Sequence, residues 1–402
     1  MMLRSRSTNA NNIMAGNLPA KPGDALAKRG RKPAVIDENV MKGEPKAKRA
    51  ALCDLSNAIS NVLIDSSKKN INVEKKQITN KRGSKRSNSA SELSVIPESE
   101  NKDASIIEIP VEDPCPSYDF DSECANDPFS VHMFALDIFK YGRAREKVFQ
   151  VSDYMKAQKF VRKENRAILC DWMVEIQETF ELNHETLYLA VKLVDMYLEC
   201  ETNTPKSELQ LIACAALFVA SKFDERSPPL IDDFLYVTDE TFSREDLIKM
   251  EMKLLKTVGY DLGAPLSYSF VRRYARTCRA DMATLTLARY ILETSLLFYE
   301  FVGTSESRLA AACFLLALKM KSKNATWTPV LHKYSGYRQD EIEPLMSEVN
   351  HMMHVRKAKY SNLETVASKY DHEVFYYSAS VPLLEDKFDV EKPVQAPLGQ
   401  GF

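Results

Sequence analysis

The 402-residue sequence predicts an all-α protein with two tandem five-helix domains. From residue 166 onward, apolar residues recur at helical spacing, and no alternating β-strand pattern of any length interrupts them. A shift of 97 residues also lays AALFVASK (215–222) on ACFLLALK (312–319), with two alanines and the final lysine coinciding. Such a repeat is typical of a duplicated helical unit in which each copy buries its own core.

Each unit has a central helix made of small and apolar residues. From Leu209 to Ala220 such residues occupy every helical face, so this helix has to be buried on all sides. It is too short to cross a bilayer, which takes about 20 residues. The helix then ends in the charged residues Lys222, Asp224 and Glu225. We therefore predict that a partner meets the chain where this buried helix emerges.

Periodicity and cap residues give the helix boundaries. Ser207 and Ser243 each begin a pattern that resembles a capping box. Asp127 and the proline after it mark the start of a separate N-terminal helix that runs to about Glu146. The predicted helices of the first unit are 166–181, 184–200, 207–223, 229–237 and 243–257. Those of the second unit are 265–278, 281–300, 305–321, 328–335 and 338–354.

The beginning of the chain differs from the rest in composition. The first 117 residues contain no Phe, Tyr or Trp, so they cannot bury enough apolar surface to offset the entropy of ordering. Residues 1–100 hold 19 Lys or Arg against 10 Asp or Glu, whereas residues 101–128 hold one Lys against eight acids. We predict a disordered, basic-then-acidic tail over 1–126, the N-terminal helix and first domain over 127–262, the second domain over 263–380 and a flexible C-terminus over 381–402.

Composition and motifs argue against several classes of protein. The formal net charge is −2, which gives no global case for nucleic-acid binding, and no stretch can span a membrane or act as a secretory signal. The eight cysteines form no CxxC pair, which favours free thiols in a reducing compartment. No GxxxxGK[ST], HExxH or GxSxG motif indicates an enzyme or a cofactor. His351 and His354 lack a third ligand, so we predict a surface pair and no metal site.

Four segments resemble the cyclin box in their order and spacing. They are NRAILCDWMVE (165–175), LYLAVKLVD (187–195), ASKFDE (220–225) and KME (249–251). The resemblance covers about residues 127–380. Other segments are similar to the B-type cyclins, and among these to the third (B-three) subclass: DPF (127–129), ALDIFKY (135–141), QETFELNHETLY (177–188) and KYDHEVF (369–375).

The resemblance implies a noncatalytic subunit that binds and activates a cyclin-dependent Ser/Thr protein kinase. In the family, the Lys of ASKF and the Glu of KME meet the kinase beside its mobile regulatory helix; here these are Lys222 and Glu251. Docking there holds that helix inward, so that the kinase's own Lys–Glu pair can order the ATP phosphates. Further kinase contacts are expected at Phe223, Asp224, Glu225, Leu255, Tyr260, Leu262, Phe134, Ile138 and Tyr141.

In related cyclins, exposed apolar residues of the RAIL helix also form a groove for substrates that carry Arg-x-Leu. Asn165 stands where many relatives carry Met, which predicts weaker apolar docking here. The alternative for Ile168 and Leu169 is ordinary core packing. Arg166 and Asp171 are expected to hold the helix against its N-terminal neighbour. The matching groove positions, with Glu175 as the counter-charge of the arginine, are Ile168, Leu169, Trp172, Gln210 and Glu175.

The tail carries short motifs that predict its partners. Arg49, Leu52 and Asn57 stand at the first, fourth and ninth positions of a segment that resembles the destruction box, which the anaphase-promoting ubiquitin ligase reads. Lys-Glu-Asn at 163–165 abuts a helix and is interpreted as structural. Three basic clusters between residues 28 and 86 predict a nuclear import receptor as a partner and a nuclear location, the alternative being a solvated tail.

Two other functions use the same doubled fold. A cyclin-fold transcription factor should show an N-terminal zinc ribbon with paired CxxC motifs and a basic domain face, and this sequence has neither. A helical scaffold that binds no kinase has no need of Lys222 and Glu251 within an apolar surround. The favoured prediction is a cyclin that acts in mitosis or meiosis and is degraded at mitotic exit.

Overall fold

The computed structural model of the protein describes residues 113–127 and 130–388, and every regular element in these ranges is helical. The predicted all-α class is confirmed. None of the described helices is both long and apolar enough to cross a membrane. The predicted destruction box (Arg49, Leu52 and Asn57) and the three basic clusters lie outside the described residues, so they stay predictions.

Two helices precede the domains: α1 (Phe120–Glu123) and α2 (His132–Arg145). The sequence predicts that the N-terminal helix starts at Asp127, but α2 begins five residues later. Val131 has a φ of 48°, in the left-handed region, and a right-handed helix cannot run through such a residue. The predicted start is therefore wrong, and α1 is an element that the sequence did not reveal.

The first domain has one central helix, as predicted. Its five helices are α3 (Lys163–Thr179), α4 (His184–Cys200), α5 (Leu209–Asp224), α6 (Ile231–Val237) and α7 (Arg244–Thr257). α5 packs against α3, α4 and α7, and its residues from Ile212 to Ser221 are all buried. The capping box at Ser243 is confirmed, because Asp246 N donates to Ser243 Oγ at 3.2 Å. The one predicted at Ser207 is wrong, because Ser207 lies in a short 3-10 turn before α5.

The second domain repeats this plan around α10. Its helices are α8 (Ser267–Thr277), α9 (Met282–Ser295), α10 (Glu306–Lys321), α11 (Pro329–Ser335) and α12 (Gln339–Lys359), followed by α13 (Thr365–Tyr370). α10 packs against α8, α9 and α12, and its residues from Leu309 to Ala317 are buried. α9 ends at Ser295, five residues before the predicted end at 300. α12 runs to Lys359, five residues past the predicted end at 354.

Buried polar side chains join the two domains. Arg166 pairs with Asp195 on α4 at 2.6 and 2.7 Å, and it also donates to the carbonyl oxygen of Leu296 in the second domain at 2.7 Å. Asp171 accepts a hydrogen bond from Thr365 Oγ1 at 2.7 Å. The prediction that Arg166 and Asp171 hold α3 against its N-terminal neighbour is wrong, because both side chains reach the second domain.

Residues 113–127, which we call the strap, lie against the second domain. Asp121 binds Arg273 on α8, and Asp113 pairs with Lys333 on α11 at 2.7 Å. The prediction of a disordered tail up to residue 126 is therefore wrong for this part of it. Acidic strap residues meet basic residues of two helices, and the first aromatic residues of the chain occur here.

Residues 381–388 lie along α12. His351 Nδ1 is 2.8 Å from Asp386 Oδ2, and His354 Nε2 is 2.7 Å from the carbonyl oxygen of Leu384. The prediction of a flexible C-terminus from residue 381 is wrong over these residues, because hydrogen bonds to α12 hold them. The same bonds show that the two histidines bind protein groups.

Candidate partner-binding surface

Lys222 and Glu251 meet on the surface of the first domain although 29 residues separate them in the sequence. α5 ends here against the middle of α7, and the two side chains form an ion pair. Lys222 Nζ also lies 3.9 Å from the centre of the Phe218 ring. The Lys222 side chain is 39% exposed and that of Glu251 is 16% exposed. The pair is therefore held by the fold and still open to a partner.

Large apolar side chains are exposed on the first domain, and two of them, Phe223 and Met252, adjoin the members of this pair in the chain. The exposed fraction is 58% for Phe223, 59% for Met252, 68% for Leu230 and 67% for Tyr236. Apolar groups that are exposed together mark interaction sites. The family resemblance points to Phe223, whereas Met252, Tyr236 on α6 and Leu230 just before α6 escaped the sequence reasoning. A large apolar residue next to a surface charge, as Met252 is next to Glu251, is the signal that could have found them.

Four other predicted contact residues lie near the ends of α5 and α7. Asp224 and Tyr260 are exposed, whereas Leu255 and Leu262 are half-buried and pack against the core. Tyr260 has a φ of 62°, and its N–H donates to the carbonyl oxygen of Leu255 at 2.9 Å. This left-handed turn ends α7 and leaves the Tyr260 ring at the surface.

Glu225, another predicted contact residue, takes part in the fold. Its Oε1 accepts hydrogen bonds from Asn183 N at 2.7 Å and from Thr186 Oγ1 at 2.6 Å. These groups stand at the start of α4, where backbone N–H groups lack helical partners. The carboxylate thus closes the N-terminus of α4, and its predicted contact with a partner stays a prediction.

One face of α2 also presents exposed apolar side chains. Phe134, Ile138 and Tyr141 are exposed, and their spacing places them on one side of the helix. Arg145 donates to Tyr141 Oη at 3.2 Å and to Asp261 at 2.6 Å. Because Asp261 lies just beyond the end of α7, this bridge connects the α2 face with the surface around Lys222.

The groove predicted on α3 is mostly closed. Leu169 and Trp172 are only 3% and 2% exposed, so the prediction that they line an exposed groove is wrong and the core-packing alternative holds for Leu169. Ile168, Glu175 and Gln210 are half-buried. Glu175 Oε2 is buried without a hydrogen-bond partner among the described residues, and burial raises the pKa of this carboxyl.

Two further sequence features belong to the fold. Asn165 Oδ1 accepts a hydrogen bond from Arg162 N at 3.1 Å, which caps the start of α3 and supports the structural interpretation of Lys-Glu-Asn. Lys319 matches Lys222 after the 97-residue shift, and it pairs with Glu343.

The two central helices each contain one cysteine. In the part of the chain that the structure describes, no three His, Cys, Asp or Glu side chains come together as a metal site. Cys214 and Cys313 are buried in the two central helices, and burial raises the pKa of both thiols far above its usual value. A thiol in that state is a poor nucleophile, because the thiolate is the reactive form.

Two family models match the chain: the cyclin N-terminal domain over residues 137–263 and the cyclin C-terminal domain over residues 265–383. A G2/mitotic-specific cyclin-B3 of Caenorhabditis elegans is 54% identical over 281 residues, which cover 69% of this chain and 73% of that protein. That of Gallus gallus is 41% identical over 349 residues, covering 83% and 84%. That of Homo sapiens is 43% identical over 270 residues, covering 67% of this chain but 19% of that protein.

Among solved structures, a viral cyclin from herpesvirus saimiri has a TM-score of 0.49 and 21% identity, over 57% of this chain and 99% of that one. The two domain matches together cover more than half of the chain, one in each helical repeat. The nematode and chicken relatives match over most of their own lengths. The chain therefore belongs to the cyclin family, and within it to the G2/mitotic-specific B3 cyclins, with a regulatory role in the cell cycle.

Proposed function

We propose that this cyclin binds a cyclin-dependent Ser/Thr protein kinase through the surface around Lys222 and Glu251, and thereby activates it. The observation that carries the proposal is the ion pair flanked by the exposed Phe223 and Met252. Burial of such apolar side chains contributes about 25 cal/mol per Å². The two charges favour one orientation of the partner.

This surface is suited to holding a mobile helix of the kinase because its own support is rigid. α5 is buried from Ile212 to Ser221, and α7 packs along it. In the cyclin family, docking here holds the kinase's regulatory helix inward, so that the kinase's own Lys–Glu pair orders the ATP phosphates. The catalytic groups belong to the kinase, and this chain supplies the binding energy that favours the active conformation.

The α2 face gives the kinase a second area of contact. Phe134, Ile138 and Tyr141 are exposed on that face. Arg145 fixes its C-terminal end to Asp261 before any partner binds. A preorganised surface loses less conformational entropy on binding, which favours affinity.

Co-purification with cyclin-dependent kinases from dividing cells, followed by phosphorylation of a histone-type substrate, tests this proposal. We expect the activity to fall about 100-fold in the Lys222→Ala, Glu251→Ala double variant, because central interface residues dominate binding energy. The matched control is Lys319→Ala with Glu343→Ala, the equivalent pair of the second domain. A folded wild-type chain that recovers no kinase would overturn the proposal, and DNA binding would then be tested for the transcription-factor alternative.

Substrate recruitment at α3 is a separate part of the proposal. The unpartnered, buried Glu175 Oε2 supports it, since an arginine guanidinium placed there satisfies the carboxylate. Apolar contact is restricted to the half-buried Ile168, so we expect weak recruitment. Glu175→Gln should lower phosphorylation of a substrate that carries Arg-x-Leu and spare a peptide without this motif. Equal losses on both substrates would contradict the assignment.

The tail motifs lead to two proposals about turnover and location. We expect Arg49→Ala with Leu52→Ala to stabilise the protein through mitotic exit, because the anaphase-promoting ubiquitin ligase then loses its signal. Unchanged turnover in synchronised cells would place the signal elsewhere. Replacing the basic clusters between residues 28 and 86 by Ala should leave the protein in the cytoplasm, since the import receptor needs those charges. Nuclear accumulation of that variant would rule out these clusters as the signal.

A further inference from the structure

Arg273 on α8 is the point where the strap, α2 and the second domain meet. Its Nη1 and Nη2 each lie 2.5 Å from an oxygen of the Asp121 carboxylate in the strap. The guanidinium also lies 5.0 Å from the centre of the Phe139 ring on α2 and 4.9 Å from that of Tyr334 on α11. Arg273 is 7% exposed, so this junction is almost closed to water.

The N-terminal half of α2 has few other attachments. Ala135 is the one residue of α2 (His132–Arg145) that is buried, and no side chain caps the start of the helix. The C-terminal half is fixed by Arg145 to Asp261 and by Arg143 to the carbonyl oxygen of Ser335. An isolated helix of 14 residues is marginal in water, so the orientation of its first turns depends on what packs there.

The rest of the strap is fixed to the same domain. Tyr118 Oη donates to the carbonyl oxygen of Thr277 at 2.7 Å, and Phe120 N donates to Tyr334 Oη at 2.8 Å. Lys333 Nζ donates to the carbonyl oxygen of Tyr118 at 2.8 Å. These bonds hold the strap backbone on α8 and α11, so Asp121 is held opposite Arg273.

We propose that Asp121 and Arg273 are positioning residues that hold the N-terminal half of α2 in the orientation that the kinase meets. Phe139, on which the guanidinium lies, is one residue after Ile138, which belongs to the exposed face. The strap is then a part of the docking unit, and it acts through α2 without touching the kinase. This inference rests on the proposed function, but its first test does not.

Amide hydrogen exchange in the full chain, with no kinase present, is the first test. Asp121→Asn removes the charge opposite Arg273, and we expect exchange over residues 132–139 to speed up about tenfold, because one charge-assisted hydrogen bond contributes on that order. The control is Glu123→Gln, which removes the strap's exposed pair with Arg279 and should change exchange less than about twofold. Equal protection of α2 in all three proteins would overturn the proposal.

Kinase affinity in a double-mutant cycle is the second test. We expect Asp121→Asn to weaken kinase binding about tenfold. In a Phe134→Ala background, where the α2 contact is already reduced, the same substitution should have a much smaller effect on affinity. The exchanged pair, Asp121→Arg with Arg273→Asp, should recover part of the affinity. Tyr118→Phe, which removes one strap bond only, gives a milder version of the same result.

The outcomes separate the two proposals. If the wild-type chain binds no kinase, the proposed function fails, while hydrogen exchange still tests the strap. If the wild type binds and Asp121→Asn binds equally well, only the role of the strap fails. A loss of affinity that is the same with and without Phe134→Ala means that Asp121 acts on general stability, and this also overturns the positioning role.

Discussion

The two domains bury the same kind of central helix and differ in what surrounds its charged end. α5 is buried from Ile212 to Ser221, and α10 from Leu309 to Ala317, and each packs against three helices of its own domain. In both, small residues let the neighbouring helices approach closely. The duplication therefore preserved the core, because close packing tolerates few changes in side-chain volume.

The surfaces at the ends of these helices are different. Lys222 pairs with Glu251 beside exposed apolar groups, whereas the Lys319 side chain is 16% exposed and pairs with Glu343. The large exposed apolar residues among the described residues of the second domain are Met282, Val374, Tyr376 and Tyr377, none of which lies on α10 or α12. A shared core explains the fold of both domains, and an apolar surface on one of them explains why we expect a partner only there.

The largest expected effect concerns a charged pair that is buried instead of exposed. Glu293 and Lys369 are 2.5 Å apart with side chains at most 2% exposed, and Tyr370 Oη donates to Glu293 at 2.8 Å. Glu293→Gln leaves Lys369 as a buried charge, so we expect the free energy of unfolding in urea to fall by about 4 kcal/mol. Glu251→Gln, which breaks the exposed pair, should cost less than about 1 kcal/mol. Similar losses in the two variants would contradict this distinction between fold and surface.

The second prediction concerns kinase activation instead of stability, and for this quantity we expect the exposed Lys222–Glu251 pair to matter most. Glu251→Lys places two lysines together where the partner docks, and we expect kinase activation to fall by about 100-fold, or about 3 kcal/mol, with the fold intact. Glu343→Lys makes the same change beside Lys319 in the second domain and should leave activation within about twofold of wild type. The assay is activation of purified kinase by purified cyclin. Equal activation by wild type and Glu251→Lys would remove the docking assignment.

A smaller effect tests the apolar flank. Phe223 is exposed, and the 97-residue shift places it on Met320, which is partly buried. Phe223→Ala should weaken kinase affinity by about 2 kcal/mol, as for an interface residue near the centre, and hardly change stability. Met320→Ala should do the opposite, since it removes core contacts. Kinase titration measures the affinity and thermal unfolding measures the stability of both variants. An affinity loss in Met320→Ala would contradict the assignment of kinase binding to the first domain alone.

The sequence predicts what depends on local pattern and misses what depends on distant packing. The helices of the first domain lie within three residues of their predicted bounds, because small and apolar residues at helical spacing define both helix and core. The charged end of α5 at Lys222 follows from the helical pattern, whereas Glu251 was identified only through its motif. The exposure of Leu230 and Tyr236 depends on how α6 packs on α7. The hydrophobic periodicity of the sequence does not show this packing.

Two wrong predictions have similar causes. Leu169 and Trp172 lie on a helix whose apolar face is wide, and sequence alone does not say which of these residues another element covers. The strap was predicted to be disordered because the chain up to residue 117 lacks aromatic residues and residues 101–128 are acidic, yet Asp121 pairs with Arg273, 152 residues away. The local amino-acid composition of a segment does not reveal a binding partner that lies so far away in the sequence.

The smallest expected effect concerns Asp171, at the junction between the domains. Burial raises the pKa of Asp171 to about 6, although Thr365 donates a hydrogen bond to it. A carboxyl whose pKa is raised by folding favours the folded state when protonated, so its contribution decreases as the pH rises from about 4 through 6. Glu293 behaves in the opposite way. Burial opposes its ionisation, but Lys369 prevails and lowers its pKa to about 2, so its contribution is present above about pH 4.5 and lost toward pH 2.

Asp171→Asn should therefore stabilise the chain at pH 7 and not at pH 4. Asn keeps an acceptor for Thr365 and carries no charge that burial would penalise. We expect the gain in unfolding free energy to be about 1 kcal/mol, because the amide also has to be desolvated. Urea unfolding of wild type and variant at several pH values between 4 and 7 measures it. If the difference between the two proteins does not change with pH, burial does not raise the pKa of Asp171, and the carboxyl is ionised in the folded chain throughout this range.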